Sequence, residues 1–124
     1  KELQMAKFDI SSLKFDDNGL IPAVVQDTTT LEVLMVAWMN KISLEKTIES
    51  RLATFWSRSR KCLWVKGLTS GNTQKVDKVR FDCDRDCILL LVTPEGPACH
   101  TNRRNCFYTE LEEGSENIIL NPEI

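Results

Sequence analysis

QKVDKVRFDCDRDCILLLVT, residues 74–93, is the stretch of this sequence that says most about its fold. β-Branched and aromatic side chains recur in residues 74–81 and again in residues 87–93, which is typical of strands. Between these segments, three aspartates alternate with cysteine and arginine. The stretch therefore predicts two strands that flank a short segment with a high concentration of acids and thiols.

The rest of the chain contains more strand-like segments than helical ones. Four further strands are predicted where β-branched and aromatic residues recur between short breaks: residues 20–26, 32–39, 54–59 and 62–66. A turn at residues 16–19 precedes the first of them, and Pro22 suits a strand start or a sheet edge. Three threonines at residues 28–30 predict a hairpin connection between the first two strands.

One helix is predicted in residues 43–50. Ser43 is the expected cap, and Leu44, Thr47 and Ile48 share one face at helical spacing. Because strands outnumber helices, we expect the α+β class, with mostly antiparallel β-sheet and one or two short helices.

The length of the chain fits one domain. A chain of 124 residues with 42% hydrophobic and 27% charged residues is ordinary for a single globular unit, here residues 1–124. The motifs discussed below lie in residues 19–108. The polar tail, residues 111–124, is expected to be loosely attached.

The charge balance argues against a nucleic-acid partner. A formal net charge of −2 provides no basic field to attract nucleic acid or an anionic membrane. The longest apolar run, residues 88–92, is far too short to cross a bilayer. We therefore expect a cytoplasmic protein without nucleic-acid or membrane partners; removal of an organelle-targeting segment ahead of Lys1 stays open as an alternative.

The number of cysteines favours metal binding or catalysis over a disulfide framework. Five cysteines are an odd number, and no secretory signal is visible. They are Cys62, Cys83, Cys87, Cys99 and Cys106. Cys62 lies in an apolar stretch beside Leu63 and Trp64, so we interpret it as a small buried hydrophobe.

The three aspartates of residues 81–87 are candidate ligands for a hard cation. If residues 81–86 continue the strand, Asp82, Asp84 and Asp86 share one face and Cys83 points to the other. Crowded carboxylates repel each other unless a cation joins them, and oxygen ligands suit Mg²⁺. A solvated acidic strand end is the alternative. An EF-hand is excluded because Cys87 occupies the position of the required glycine.

A second cluster, GPACHTNRRNC at residues 96–106, contains the ligand types that zinc prefers. Cys99 and Cys106 are separated by six residues, and His100 is the only histidine in the chain. With Cys83, these thiols would leave zinc one position for water, as in catalytic sites, whereas adding Cys87 would close the shell of a structural site. His100 beside such a ligand is a candidate for proton transfer.

The third unusual segment, FWSRSRKCLWVKGLTSGN at residues 55–72, indicates a nucleotide-like ligand. It concentrates two tryptophans, two arginines and two lysines around a turn rich in glycine, serine and threonine. Cationic side chains and backbone N–H groups bind phosphates, and an indole stacks on a base. A basic hairpin with core tryptophans is the structural alternative.

Four of these motifs, in this order, resemble the phosphoribosyl-AMP cyclohydrolase family of histidine biosynthesis. They are FWSRSR, LWVKGLTSGN, DCDRD and GPACHTNRRNCFY, and the resemblance covers about residues 19–108. It implies an intertwined homodimeric α+β metalloenzyme that hydrolyses the N1–C6 bond of the adenine ring in phosphoribosyl-AMP. The implied product is the formimino-AICAR ribonucleotide, and the implied nucleophile is a zinc-activated water.

The resemblance also implies roles for individual residues. Cys83, Cys99 and Cys106 match zinc positions in a site shared between chains, and Asp82, Asp84 and Asp86 match magnesium positions. His100 is the candidate proton shuttle. Candidate substrate-binding residues lie in the tryptophan-rich segment: Trp56, Ser57, Arg58, Arg60, Trp64, Lys66, Thr69, Ser70, Gly71 and Asn72. Of these, Arg58, Arg60 and Lys66 are candidates for contacts with the two phosphoryl groups.

Three residues depart from the pattern that the resemblance leads us to expect. Leu68 stands where glutamate is common, Asn102 where glycine is usual, and Asn105 where serine is usual. These departures concern loop conformation and local substrate contacts rather than the predicted metal ligands.

Two other functions remain open from the sequence. A small zinc-stabilised nucleotide-binding module would use Cys83, Cys87, Cys99 and Cys106 as a closed shell without catalysis. A zinc nucleobase deaminase of another type would use similar chemistry, but its H-x-E and P-C-x-x-C signatures are absent from this sequence.

Overall fold

A computed structural model describes residues 7–123 of the chain. These residues form a four-stranded sheet, two small hairpins, one α-helix and a 3-10 turn at Ile10–Ser12. In chain order the elements are β1 (Ile21–Asp27), β2 (Val33–Met39), α1 (Lys41–Ser50), β3 (Thr54–Ser57), β4 (Cys62–Val65), β5 (Gln74–Phe81), β6 (Ile88–Pro94), β7 (Thr109–Glu112) and β8 (Ser115–Ile118). The predicted α+β class is confirmed.

The four-stranded sheet has the order β2-β1-β6-β5. The neighbours β1 and β2 are antiparallel, as are β5 and β6, whereas β1 and β6 pair in parallel. The predicted threonine turn joins β1 to β2. Pro22 pairs only with Trp38 of β2, because the pairing of β1 with β6 begins at Ala23. The proline therefore lies at the strand start, where its missing N–H costs no bond to β6.

The core lies between the four-stranded sheet and the unit formed by α1 and β3. Alternate residues of β1 are buried, including Ile21, Ala23 and Val25. From the other side, Leu44 of α1 and Phe55 of β3 are completely buried. Burying each large apolar side chain contributes roughly 1.5–3 kcal/mol. This packing holds β3 and its hairpin partner β4 against the outer end of the sheet.

The helix begins earlier than predicted because Asn40, not Ser43, is its cap. The Asn40 side chain accepts a hydrogen bond from the backbone N–H of Ser43 at 2.8 Å, and Ser43 Oγ accepts one from the backbone N–H of Asn40 at 2.9 Å. This reciprocal capping box places Ser43 at the third helical position. Leu44 and Thr47 are buried as predicted, but Ile48 is exposed.

The helix α1 has ten residues. Within residues 7–123, no helix combines the length and apolar character needed to span a membrane.

The end of the described chain contains a hairpin that the sequence analysis does not predict. Strands β7 and β8 pair in antiparallel fashion and are exposed throughout. The following residues return to the body of the protein: Arg103 Nε donates to the Leu120 carbonyl, and the Glu123 N–H donates to the Asn102 carbonyl, both at 2.8 Å. The tail is therefore attached to the loop that carries the predicted thiol ligands.

Candidate functional site

The connection between β5 and β6 is a turn at residues 82–87, which we call the acidic turn. The expectation that residues 81–86 continue the strand is wrong, because β5 ends at Phe81. One oxygen of the Asp82 carboxylate accepts backbone hydrogen bonds from Asp86 at 3.0 Å and Cys87 at 3.2 Å. Aspartate often binds nearby backbone groups in this way and so favours turns over strands.

The acidic turn nevertheless brings its three carboxylates together. Asp82, Asp84 and Asp86 are exposed, and each offers an oxygen within 4.8 Å of the others. The hydrogen bond with Asp82 and the repulsion from the neighbouring carboxylates raise the pKa of Asp86. Loss of water acts to raise the pKa of Asp82, but hydrogen bonds from Asp86 and from the backbone outweigh it and lower that pKa. Such crowded oxygen donors fit a hard cation such as Mg²⁺.

Cys83 and Cys87 lie in the same turn but in different surroundings. Cys83 is exposed, whereas Cys87 is half-buried. Burial raises the pKa of the Cys87 thiol, and the negative charges of Asp82 and Asp86 raise it further. Cys87 is therefore a protonated thiol at neutral pH, while Cys83 faces solvent.

Cys99 and Cys106 meet in a second connection, residues 97–106, which we call the thiol loop. Its two arms are joined by backbone hydrogen bonds from Ala98 to Arg104 at 3.2 Å and from Cys99 to Arg103 at 3.1 Å. These bonds bring Cys99 and Cys106 close enough for each thiol to affect the pKa of the other. The loop thus assembles two soft ligands.

Cys83 does not join these two thiols within one chain. Among the His, Cys, Asp and Glu side chains of residues 7–123, only the three aspartates of the acidic turn form a group of three or more with ligand atoms this close. One chain therefore brings together two of the three predicted zinc ligands. The three-cysteine site stays a prediction, and so does the closed four-cysteine shell.

The two thiols of the loop have opposite electrostatic environments. Burial acts to raise the pKa of Cys99, but hydrogen bonds from Thr101, whose Oγ1 lies 3.1 Å from Sγ, outweigh it and lower that pKa with help from Lys66. Loss of water and the charge of Cys99 raise the pKa of Cys106 to about 11. Burial also lowers the pKa of Lys66, while the two thiols oppose that shift. Cys99 is thus the thiol that ionises first.

The thiol loop is anchored to the turn between β1 and β2. Arg104 Nε donates to Glu32 at 2.8 Å, and its terminal nitrogen pairs with the buried Asp27 carboxylate. Asn105 also donates to Glu32, and the Cys106 N–H donates to the Leu34 carbonyl at 2.8 Å. These contacts fix the second half of the loop, including Cys106, against the sheet.

The Asp27 carboxylate at this anchor is ionised well into the acidic range. Burial acts to raise its pKa, but hydrogen bonds from the backbone of Thr30 and Thr29 and from Arg104 outweigh burial, and the pKa is lowered. In turn, the hydrogen bond to Glu32 raises the pKa of Arg104. The anchor is therefore a charged pair throughout the physiological pH range.

A cleft of about 590 Å³, which we call the thiol cleft, adjoins the thiol loop. One wall is the connection after β4, and the other is the thiol loop itself. The predicted residues that line it are Arg60, Trp64, Lys66, Thr69, Ser70, Asn72, Cys99 and His100. His100 is exposed there, with Nδ1 4.0 Å from Cys99 Sγ.

The shape of this wall depends on Gly67. Its φ is +77°, and a Cβ at this position would lie 2.1 Å from the backbone carbonyl of Asn72. The Gly71 N–H donates to the Gly67 carbonyl at 2.8 Å, which closes the turn. Gly71 therefore shapes the turn, although it does not line the cleft.

A second cleft, of about 630 Å³, contains the remaining predicted substrate residues; we call it the tryptophan cleft. Trp56, Ser57 and Arg58 line it from the hairpin of β3 and β4, and Arg60 and Trp64 line both clefts. The predicted nucleotide segment thus forms a shared wall between two adjoining clefts.

The sequence analysis misses Trp38, which forms the opposite wall of the tryptophan cleft. It lies on β2, half-buried, with the Arg58 guanidinium 4.8 Å from its ring centroid. The signal was available: Val36 and Trp38 alternate with the buried Ala37 and Met39, so β2 has apolar side chains on both faces.

Two expectations about single residues also change. Cys62 is exposed at the start of β4, so the prediction that it is a buried hydrophobe is wrong. Asn102 has φ +64°, the left-handed conformation in which glycine is unstrained and asparagine is the best tolerated alternative. The departures at Asn102 and Asn105 are therefore accommodated, and Leu68 is exposed at the rim of the thiol cleft.

Together, the fold and the site define a small α+β protein with two adjoining ligand-sized clefts and two clusters of potential metal ligands. The family profile described as phosphoribosyl-AMP cyclohydrolase matches residues 35–108. The chain therefore belongs to the phosphoribosyl-AMP cyclohydrolase family, and it is an enzyme of the hydrolase class.

Curated relatives extend this similarity to nearly the whole chain. A phosphoribosyl-AMP cyclohydrolase from Cereibacter sphaeroides is 62% identical over 117 residues, covering 94% of this chain and 98% of the relative. Proteins of the same name from Paracoccus denitrificans and Ruegeria pomeroyi are 58% and 56% identical. These matches cover 94% and 93% of this chain, and 96% and 97% of the relatives, respectively.

Proposed function

We propose that this chain hydrolyses the N1–C6 bond of the adenine ring in phosphoribosyl-AMP, a step of histidine biosynthesis. The oxygen of water adds to C6, the C6–N1 bond breaks, and N1 leaves with a proton as part of the formimino group. The product is the formimino-AICAR ribonucleotide. The observation that carries this proposal is that Cys99, Lys66 and His100 line one cleft with the polar turn of residues 66–72, and that Cys106 lies close to Cys99.

The donor sets fit two different cations. Cys99 and Cys106 are soft ligands that would hold zinc, and the three aspartates of the acidic turn are hard ligands that would hold magnesium. Zinc, when bound, lowers the pKa of a water molecule toward ~7 and so makes a nucleophile available at neutral pH.

The third zinc ligand comes from a second copy of the chain in this proposal. Cys83 is exposed and lies outside the group formed by Cys99 and Cys106, so a second copy offers its Cys83 without unfolding either turn. A homodimer with twofold symmetry then has two identical shared sites. The substrate is a small nucleotide, and the proposed setting is the cytoplasm, without nucleic-acid or membrane partners.

His100 moves the proton in this proposal. Its imidazole is exposed in the thiol cleft, and such a group accepts a proton from attacking water and returns it to the departing ring nitrogen. Lys66 has a different role. Its ammonium lies close enough to both thiols to lower the pKa of Cys99, so it stabilises negative charge on that side of the cleft.

The direct test is to incubate the protein with phosphoribosyl-AMP, zinc and magnesium and to follow the absorbance change that accompanies ring opening. The expected result is turnover that His100→Asn lowers by about 10²–10⁴-fold in kcat. Glu110→Gln, on the exposed strand β7, is the control and should keep full activity. Nucleotide binding without any absorbance change would support the non-catalytic binding module instead.

A further inference from the structure

The two clefts adjoin at the hairpin of β3 and β4, and this arrangement bears on how a substrate with two arms is held. The thiol cleft and the tryptophan cleft share Arg60 and Trp64, on the hairpin of β3 and β4. Their volumes of about 590 and 630 Å³ each lie within the roughly 300–1,000 Å³ typical of small-molecule sites. Cys99 and His100 line the thiol cleft, whereas no cysteine and no histidine lines the tryptophan cleft.

The substrate of the proposed function has two phosphoribosyl arms, one for each cleft. Its purine carries one phosphoribosyl group on N1, next to the bond that breaks, and another on N9, on the opposite ring. N1 is bonded to C6, so a substrate with C6 toward Cys99 and His100 keeps its N1 arm on the side of the thiol cleft, where Lys66 provides positive charge. The N9 arm leaves the opposite side of the purine, and the tryptophan cleft is the adjoining cavity that could take it.

The tryptophan cleft offers the chemistry that a phosphate needs. Arg58 and Arg60 are exposed on the turn between β3 and β4, and Ser57 lies beside them. Among residues 7–123, the ion pairs join Arg104 to Asp27 and to Glu32, so neither Arg58 nor Arg60 has a carboxylate partner. Two guanidinium groups without acidic partners on one wall are available to an anion.

Trp38 orients the guanidinium group of Arg58. The Arg58 guanidinium lies 4.8 Å from the centroid of the Trp38 ring. A guanidinium on an aromatic face loses little hydrogen-bonding capacity, because its N–H donors point outward in its own plane. The indole therefore holds Arg58 in place while its donors stay free for phosphate oxygens.

We propose that the tryptophan cleft binds the N9 phosphoribosyl arm of the substrate, with Arg58 contacting its phosphate and Trp38 positioning Arg58. This inference rests on the proposed function, because the two-armed substrate comes from it. It assigns a role to Trp38, and it divides two of the three predicted phosphate contacts between the arms: Arg58 serves the N9 arm and Lys66 the N1 arm.

The first test measures turnover by Arg58→Gln, Trp38→Leu and Trp38→Phe. Arg58→Gln should raise KM about 10–100-fold, the loss expected for a charged hydrogen bond to phosphate, with kcat changed less than about twofold. Trp38→Leu should raise KM by a smaller factor, and Trp38→Phe should recover most of it because phenylalanine keeps an aromatic face. Arg80→Gln, an arginine of β5 outside both clefts, is the matched control and should leave KM unchanged.

The second test uses AMP and adenosine as probes, because they contain the N9 arm with and without its phosphate. Calorimetric titration of the wild-type protein should show that AMP binds at least about tenfold more tightly than adenosine. Arg58→Gln should remove that preference, and Trp38→Leu should weaken it. Because this measurement needs no turnover, it is independent of the proposed reaction.

The outcomes separate the two proposals. Absence of turnover by the wild-type protein overturns the proposed function and, with it, the assignment of the N9 arm. Normal turnover with an unchanged KM and an unchanged AMP preference in Arg58→Gln overturns only this inference. A change of oligomeric state in Trp38→Leu, measured by sedimentation, with equal losses of AMP and adenosine binding, would show instead that a second copy of the chain covers the cleft.

Discussion

The acidic turn and the thiol loop are both short connections, yet they collect their ligands in different ways. The acidic turn takes three carboxylates from five consecutive residues, and the Asp82 side chain itself bends the chain that brings them together. The thiol loop takes two thiols from the ends of an eight-residue segment and is held from outside by Glu32 and Asp27. The first cluster is a local product of the sequence, and the second depends on tertiary packing.

This difference implies different behaviour toward metal ions. The aspartates are exposed, so a hard cation there keeps much of its water and exchanges readily. Cys99 is buried, Cys106 is exposed with a pKa of about 11, and a soft cation binds them only by displacing a proton and forming bonds to sulfur. Zinc should therefore survive dialysis and magnesium should not.

The largest expected effect comes from the cysteines. Cys99→Ser, Cys106→Ser and Cys83→Ser should each lose bound zinc and lower kcat by at least about 10³-fold, because a soft ligand is replaced by a poor one. Elemental analysis of dialysed protein and the ring-opening assay measure both quantities. Cys62→Ser and Cys87→Ser are the controls and should keep both. Retained zinc and activity in Cys83→Ser would place the metal on the thiol loop of a single chain.

A mixing experiment tests whether the two regions cooperate between chains. Inactive Cys83→Ser and Cys99→Ser proteins are dissociated together and reassociated. If Cys83 and Cys99 come from different copies, each mixed dimer has one intact site, and random equal mixing restores about a quarter of wild-type activity. Mixed dimers that form but recover no activity would contradict a shared site.

Substitution in the acidic turn should affect one metal only. Asp84→Asn removes one of the three carboxylate ligands and should raise the magnesium concentration needed for half-maximal activity by roughly tenfold. Bound zinc should remain nearly unchanged. Asp17→Asn, an exposed aspartate in the turn before β1, is the control. Parallel loss of zinc and activity in Asp84→Asn would mean that the aspartates are part of the zinc site.

The smallest effect should come from the anchor of the thiol loop. Arg104→Gln leaves the Asp27 carboxylate buried without its cation and should lower the free energy of unfolding by about 1–3 kcal/mol at pH 7. Urea titration of this variant and of Lys46→Gln, an exposed control on α1, measures the difference. Zinc retention should fall in Arg104→Gln while the magnesium requirement stays the same.

The difference in free energy of unfolding between wild type and Arg104→Gln should depend on pH, and the pKa of Asp27 determines the sign of that dependence. The pKa of Asp27 is lowered in the folded chain, so its contribution is complete above the pKa of the unfolded chain, about 4. The contribution is lost as the pH falls through the folded pKa. The gap in stability between wild type and Arg104→Gln should therefore shrink in acid. A gap that grows as the pH falls would contradict this account.

The sequence analysis predicts what local chemistry determines and misses what packing determines. The grouping of Asp82, Asp84 and Asp86 was expected from strand alternation but arises from a turn, because the Asp82 carboxylate competes for the backbone. Asn40 and Ser43 are both good caps, and only the reciprocal bonds decide between them.

The remaining features depend on distant parts of the chain. Strand alternation could have placed Trp38 on the outer face of β2, but not its contact with Arg58, because the helix α1 separates the two residues in the sequence. The attachment of the thiol loop to Glu32 and Asp27 likewise has no local signal in either segment. Such contacts between separate elements require the assembled fold.

The parallel pairing of β1 with β6 has a consequence for how the protein folds. The hairpin of β1 and β2 and the hairpin of β5 and β6 form between neighbours in sequence, whereas Ala23 must find Ile88 across most of the chain. Closing that distance costs loop entropy before any contact compensates it, so we expect the docking of the two hairpins to limit the folding rate.

Leu34 and Glu32, which hold the thiol loop, belong to the first hairpin, and the acidic turn lies at the tip of the second. The acidic turn thus needs only the pairing of β5 with β6, while the thiol loop needs both hairpins to be docked.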